Sequence, residues 1–319
     1  VQNGATSGAL LNLPRAVAVD SSSTMYVADT TNHRIRKITS TGVVTTLAGS
    51  GTAQFADGTG TNASFNTPQG ITVDSVGNVY VGDTLNNRVR KITPEGVVTT
   101  LAGSGTAQFG DGTVTNASFN NPYGVTVDSS GNVYVIDKLN YRVRKITSGG
   151  IVTTLAGNGT AQYLEGNGTA ARFLNPFGIV VNSAGTLMYV TDSNYIRKIT
   201  SAGVTTFIAG QATAGSANAT GVSASFNGPR EIALLAAGTS VYVADTGNHI
   251  IRRVTTDFGV TTKYSGFGGA GFRETPVANV QYNNPSGIAV NSAGLVYVAD
   301  TNNNRIRTIA AGSDNTGVV

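Results

Sequence analysis

One pattern recurs six times along this chain. A block of Tyr, Val, any residue and Asp begins at Tyr26, Tyr80, Tyr134, Tyr189, Tyr242 and Tyr297, at intervals of 54, 54, 55, 53 and 55 residues. A proline precedes each block, at Pro14, Pro68, Pro122, Pro176, Pro229 and Pro285. Two independent markers with one period are the signature of a repeat architecture. Without them, 319 residues would imply two domains.

Each copy reads as four short strands. In the second, Gly70–Asp74 alternates apolar residues and ends in a Ser-Val-Gly-Asn turn. Asn78–Gly82 is the next strand, Asp83–Asn87 a polar turn, and Arg88–Ile92 the third strand. Pro94 sits in the following turn, and Val97–Leu101 is the fourth strand. Turn signals every 8–12 residues between β-branched runs mean an all-β fold. Four-strand units at fixed period select a six-bladed β-propeller with four antiparallel strands per blade. The blades span approximately 10–55, 64–109, 118–163, 172–216, 225–270 and 281–319 of a single domain. Stacking between neighbours explains why runs such as Val79-Tyr80-Val81 are apolar on both sides of the pleat.

Composition narrows the function classes. No cysteine is present, so thiol chemistry and Cys-ligated metals are excluded. Charged residues are 12% and glycines number 41. Low charge, no Cys and abundant Thr, Asn and Gly favour an extracellular or cell-surface protein, of the bacterial secreted kind. No apolar run approaches the roughly 18–20 residues of a membrane-spanning helix, so membrane insertion is not expected. A net charge of +4 is too small to argue for nucleic acid.

The segments Val27–Ile38 and Val243–Arg252 carry Asn32-His33 and Asn248-His249 inside the repeated block. They resemble NHL repeats, with Arg34 and Ile250 where the family's Leu would stand. The resemblance covers nearly the whole chain. It implies the fold, and it leaves open several roles: sensor or binding domain, RNA-binding domain or, in related folds, metal-dependent lyase or lactonase.

The six second strands end in Asp29, Asp83, Asp137, Asp192, Asp245 and Asp300, and the third strands carry Arg36, Arg90, Arg144, Arg197, Arg252 and Arg307. We expect one structural ion pair per blade, with the planar guanidinium gripping its carboxylate bidentately. Arg34, Arg88, Arg142 and Arg305 form a less complete column, read as a solvated strand edge or, alternatively, as a distributed surface for an acidic polymer. The long links place Phe55, Phe65, Phe109, Phe119, Tyr163 and Phe173 as anchors, and Asp57-Gly58 and Asp111-Gly112 as turns rather than Ca²⁺ loops.

Function in a ring of copies is expected where the copies differ. The residue after each proline is Arg15, Gln69, Tyr123, Phe177, Arg230 and Ser286. These six lead into the innermost strands and should surround the channel mouth, where two aromatics and two guanidiniums suit a polar or anionic ligand or a peptide. The turn tips His33, Asn87, Tyr141, Tyr195, His249 and Asn304 should rim the same face.

Only two histidines occur, His33 and His249, on different blades. A catalytic zinc needs three converging protein ligands, and no nucleophile elbow or phosphate loop is present. The expectation is therefore no catalytic residue, no metal and no cofactor. The chain should be a binding scaffold for a protein, peptide or glycan. A metal-dependent lyase or lactonase, or a nucleic-acid binder, is the alternative. Gly317-Val318-Val319 matches Gly42-Val43-Val44 without the Thr-Thr-Leu that follows it elsewhere. We expect either residues 1–9 or a continuation of the chain to complete the last blade.

Overall fold

The structure, a computed structural model, describes residues 10–274 and 279–310. Six antiparallel sheets stand around one axis. Each starts with an inner strand at its repeated proline, such as Pro68–Val73, and steps outward through Val79–Asp83, Arg88–Ile92 and Val97–Ala102. The inner strands contact one another around the channel.

The strand count departs from the expected four. Four sheets have five strands, because the link that leads into each contributes a two-residue strand to its outer edge. Gly58–Thr59 pairs with Val97 and Val98 of the second blade, for example. Two residues in a Gly-rich stretch carry no period-2 pattern, so this strand is invisible in the sequence. The first sheet has four strands, and the last has three among the described residues. The segments expected to complete the last blade lie outside the described residues.

The apolar cores lie between blades. Ala16, Tyr26, Ala28 and Ile35 of the first blade pack with Ile71, Val79, Val81 and Ile92 of the second. Val17, Val27 and Ile38 on the other face of the first blade pack with Ala289, Tyr297 and Ala299 of the sixth. Each blade is thus buried on both faces, at about 1.5–3 kcal/mol for each fully covered Val or Ile side chain. At five of the six joints one or both of two repeated hydrogen bonds help set one blade against the next.

The first uses the threonine after the repeated Asp. Thr30, Thr84, Thr246 and Thr301 each donate their hydroxyl to the carbonyl of the next blade's proline, at 2.7–2.8 Å. The second uses the turn tip. His33 Nδ1 accepts from the N–H of Thr67, Asn87 from Asn121, Asn194 from Gly228, His249 Nδ1 from Asn284 and Asn304 from Leu13, at 2.8–3.1 Å. Bonds Thr301–Pro14 and Asn304–Leu13 close the ring with the same chemistry as the internal joints. Burial lowers the pKa of both histidines, which keeps Nδ1 an acceptor at neutral pH.

Candidate functional site

The expected ion pairs are present in all six blades. Asp and Arg lie 2.7–3.2 Å apart with both side chains fully buried. The grip is through a single nitrogen and not the bidentate one expected. The second terminal nitrogen serves the incoming link: Arg90 Nη2 donates to the Ala56 carbonyl at 2.8 Å and to Asp57 at 2.6 Å. Asp83 also accepts from the Asn66 N–H and the Asn86 amide. Burial raises the Asp83 pKa, while Arg90 and these donors pull it back. The guanidinium carbon of Arg90 lies 5.2 Å from the ring centre of Phe65, which is fully buried. One arginine thus joins a hairpin, a link and an aromatic anchor. Asp57 and Asp111 are structural partners of Arg90 and Arg144.

The second arginine column is not the solvated edge expected. Arg88 and Arg142 stack on Phe55 and Phe109 at 3.8 and 3.9 Å and donate to the carbonyls of Ser104 and Asn158. These cations are committed to the links, which removes them as a free surface for an acidic polymer. The turn tips His33, Asn87, His249 and Asn304 spend acceptors on the neighbouring blade, as above. Tyr195 stacks on Tyr163 at 4.2 Å, on the outer part of the fourth blade.

The residues after the prolines meet unevenly. Arg230 of the fifth blade reaches over the fourth and donates to the Tyr123 hydroxyl of the third, at 2.9 Å across 107 residues. On the way its guanidinium carbon passes 5.1 Å from the Phe177 ring centre. Tyr123 and Phe177 meet edge to face at 5.2 Å. Tyr123 and Ser286 are buried, and the Ser286 hydroxyl donates to the Arg15 carbonyl. Arg15, Arg230 and Ser286 line an opening of about 310 Å³ with Asn227, Asn284 and Asn302. Gln69 holds its amide oxygen buried without a hydrogen-bond partner.

Below the mouth, the channel is walled by Val17, Ile71, Val125, Ile179, Ile232 and Ile288, with one carboxylate, Glu231, among them. Glu231 stands where four other blades have Gly. One of its oxygens is buried without a partner. Burial pushes its pKa up to about 8, against the pull of Arg230, so at neutral pH it is mostly a neutral acid.

Two family profiles match parts of the chain. A profile described as NHL repeat matches residues 282–309, the sixth blade, and one described as SMP-30/gluconolactonase/LRE-like region matches residues 16–108. The chain is a six-bladed β-propeller that carries an NHL repeat. This NHL propeller is 30% identical over 281 residues to the chloroplastic protein SUPPRESSOR OF QUENCHING 1 of Arabidopsis thaliana, over 82% of its own length and 27% of that protein's. It is 25% identical to human NHL repeat-containing protein 2, over 94% and 46%. The chain thus spans less than half the length of these curated relatives. Among solved structures, an auxiliary nutrient binding protein from Bacteroides thetaiotaomicron superposes with a TM-score of 0.73 at 18% identity, over 98% of this chain and 72% of that one. A streptogramin B lyase superposes at 0.58 with 14% identity, over 99% and 84%. These two show shared architecture. NHL repeats in a propeller of this kind support a binding scaffold.

One residue at the mouth of this NHL propeller was missed from sequence. Lys138 occupies the position of Thr30, Thr84, Thr246 and Thr301. Its ammonium sits 4.5 Å from the Phe177 ring centre, so it shares that ring with Arg230. Burial and then Arg230 lower its pKa. The signal was in the alignment of the copies, where Lys breaks a threonine column.

Proposed function

We propose that this NHL propeller is a non-catalytic binding scaffold of a secreted or cell-surface protein, engaging a protein, peptide or glycan at the loop-rich face around the channel. The observation that carries this reading is the convergence of Arg230, Tyr123 and Phe177 from three blades at one mouth. A repeat needs none of these contacts, because the other blades stand without them. The Bacteroides nutrient-binding neighbours support a surface role for the ring. No helix among the described residues is long and apolar enough to cross a membrane.

The lyase neighbours and the gluconolactonase-like profile motivate the enzymatic alternative. Against it, no three His, Asp or Glu side chains gather among the described residues, and both histidines are tied to backbone N–H groups. The test is to probe peptide and glycan arrays with the labelled propeller and its Arg230→Ala variant. Specific binding weakened at least tenfold by the substitution is expected. Blank arrays, or multiple turnovers of a lactone or a streptogramin, would overturn the reading.

A further inference from the structure

The joint between the third and fourth blades lacks both repeated bonds described above. The threonine hydroxyl is replaced by the Lys138 ammonium, and the Asn or His acceptor by Tyr141. Asn194, Asn87 and Asn304 show that the acceptor is readily supplied elsewhere. At the mouth this joint gives up those two hydrogen bonds, each of net value about 0.5–1.5 kcal/mol, and gains a half-buried cation; elsewhere it is held by Ser129, whose N–H and hydroxyl both donate to the Ser183 carbonyl. Lys138 and Arg230 lie 4.5 and 5.1 Å from the same ring centre. Neither forms an ion pair with a carboxylate among the described residues, and nor does Arg15, which lines the adjoining opening with Arg230. The two like charges flank one ring and repel, and burial together with the nearby Arg230 charge holds the Lys138 pKa below its ordinary value. Nothing in the repeat requires them. The repulsion is offset by an oxyanion within reach of both groups, since guanidinium and ammonium both donate to carboxylate or phosphate.

We propose that the channel mouth binds a small organic oxyanion, a carboxylate or phosphate ester, with Lys138 and Arg230 on its charged group. This rests on the mouth being the binding face.

Titration calorimetry at low ionic strength with citrate, glucose 6-phosphate and glucose tests it. Citrate and glucose 6-phosphate distinguish carboxylate from phosphate. The expected result is binding of at least one, none for glucose, and affinity that falls as salt rises. Lys138→Thr should cost at least tenfold in affinity while the protein melts no lower, because Thr restores the hydroxyl found in four other blades. Lys138→Met, which keeps the bulk and removes the charge, should lose binding equally. No heat with either anion, or unchanged affinity in both Lys138 variants, would overturn the proposal. Array binding of a neutral partner that is lost in Arg230→Ala yet kept in Lys138→Thr would overturn the oxyanion site and leave the scaffold standing.

Discussion

The buried Asp–Arg pair is the smallest unit of this fold, and its energetics are asymmetric. Two ions out of water gain little net stability from each other, but removing one strands its partner. Asp83 and Arg90 are both fully buried. Asp83→Ala should therefore cost about 3–5 kcal/mol in urea unfolding, and Asp83→Ala with Arg90→Met should recover part of that loss. A single-variant loss under about 1 kcal/mol would mean that the guanidinium is compensated by its link carbonyls alone. These pairs were legible because six Asp and six Arg repeat in step. Their single-nitrogen grip was not, since the competing acceptors, such as the carbonyl of Ala56, come from 34 residues upstream. Lys138 was overlooked for a different reason. A turn lysine normally points to solvent, and only the threonines it replaces mark it out.

At the scale of the element, the links matter most. Gly-Ser-Gly-Thr runs such as 103–106 have the composition of a tether. They are instead clasps on an arginine. Gly105 has φ +92°, and a Cβ there would lie 2.3 Å from Arg88 Nη1. Gly105→Ala should cost about 1–3 kcal/mol through the left-handed backbone and the displaced guanidinium together. Chemical denaturation checks this, and a loss below about 0.5 kcal/mol would show that Arg88 moves aside freely. The strands themselves were readable from alternation and turn residues. The two-residue strand at Gly58–Thr59 was not, because the outer strand of the next blade creates it.

At the scale of the whole molecule, period gave six blades, but nothing local told which side chains meet across the axis. The Arg230–Tyr123 contact exists only because the ring closes. The channel carboxylate belongs to this scale too, since all six inner strands form its surroundings. Its folded pKa, raised to about 8, lies above its ordinary value of 4.5. Between those values the unfolded chain has released a proton that the native ring still holds. Stability from this group is therefore highest below pH 4.5 and declines as pH rises to about 8. Glu231→Gln should remove the decline, so that the variant gains on the wild type by on the order of 3 kcal/mol between pH 5 and pH 9. Urea unfolding of both proteins at the two pH values reads the difference directly. Parallel curves would mean that the carboxylate ionises freely in the lumen.

The sixth blade docks on the first through Thr301–Pro14 and Asn304–Leu13, a pairing also found at joints that the polypeptide bridges covalently. Covalent continuity is therefore redundant for holding together neighbours that share this pair of bonds. In mechanical terms the meeting of the last blade with the first is no weaker a seam than these, and a nick in the backbone between two sheets joined in this way would leave their mutual docking intact.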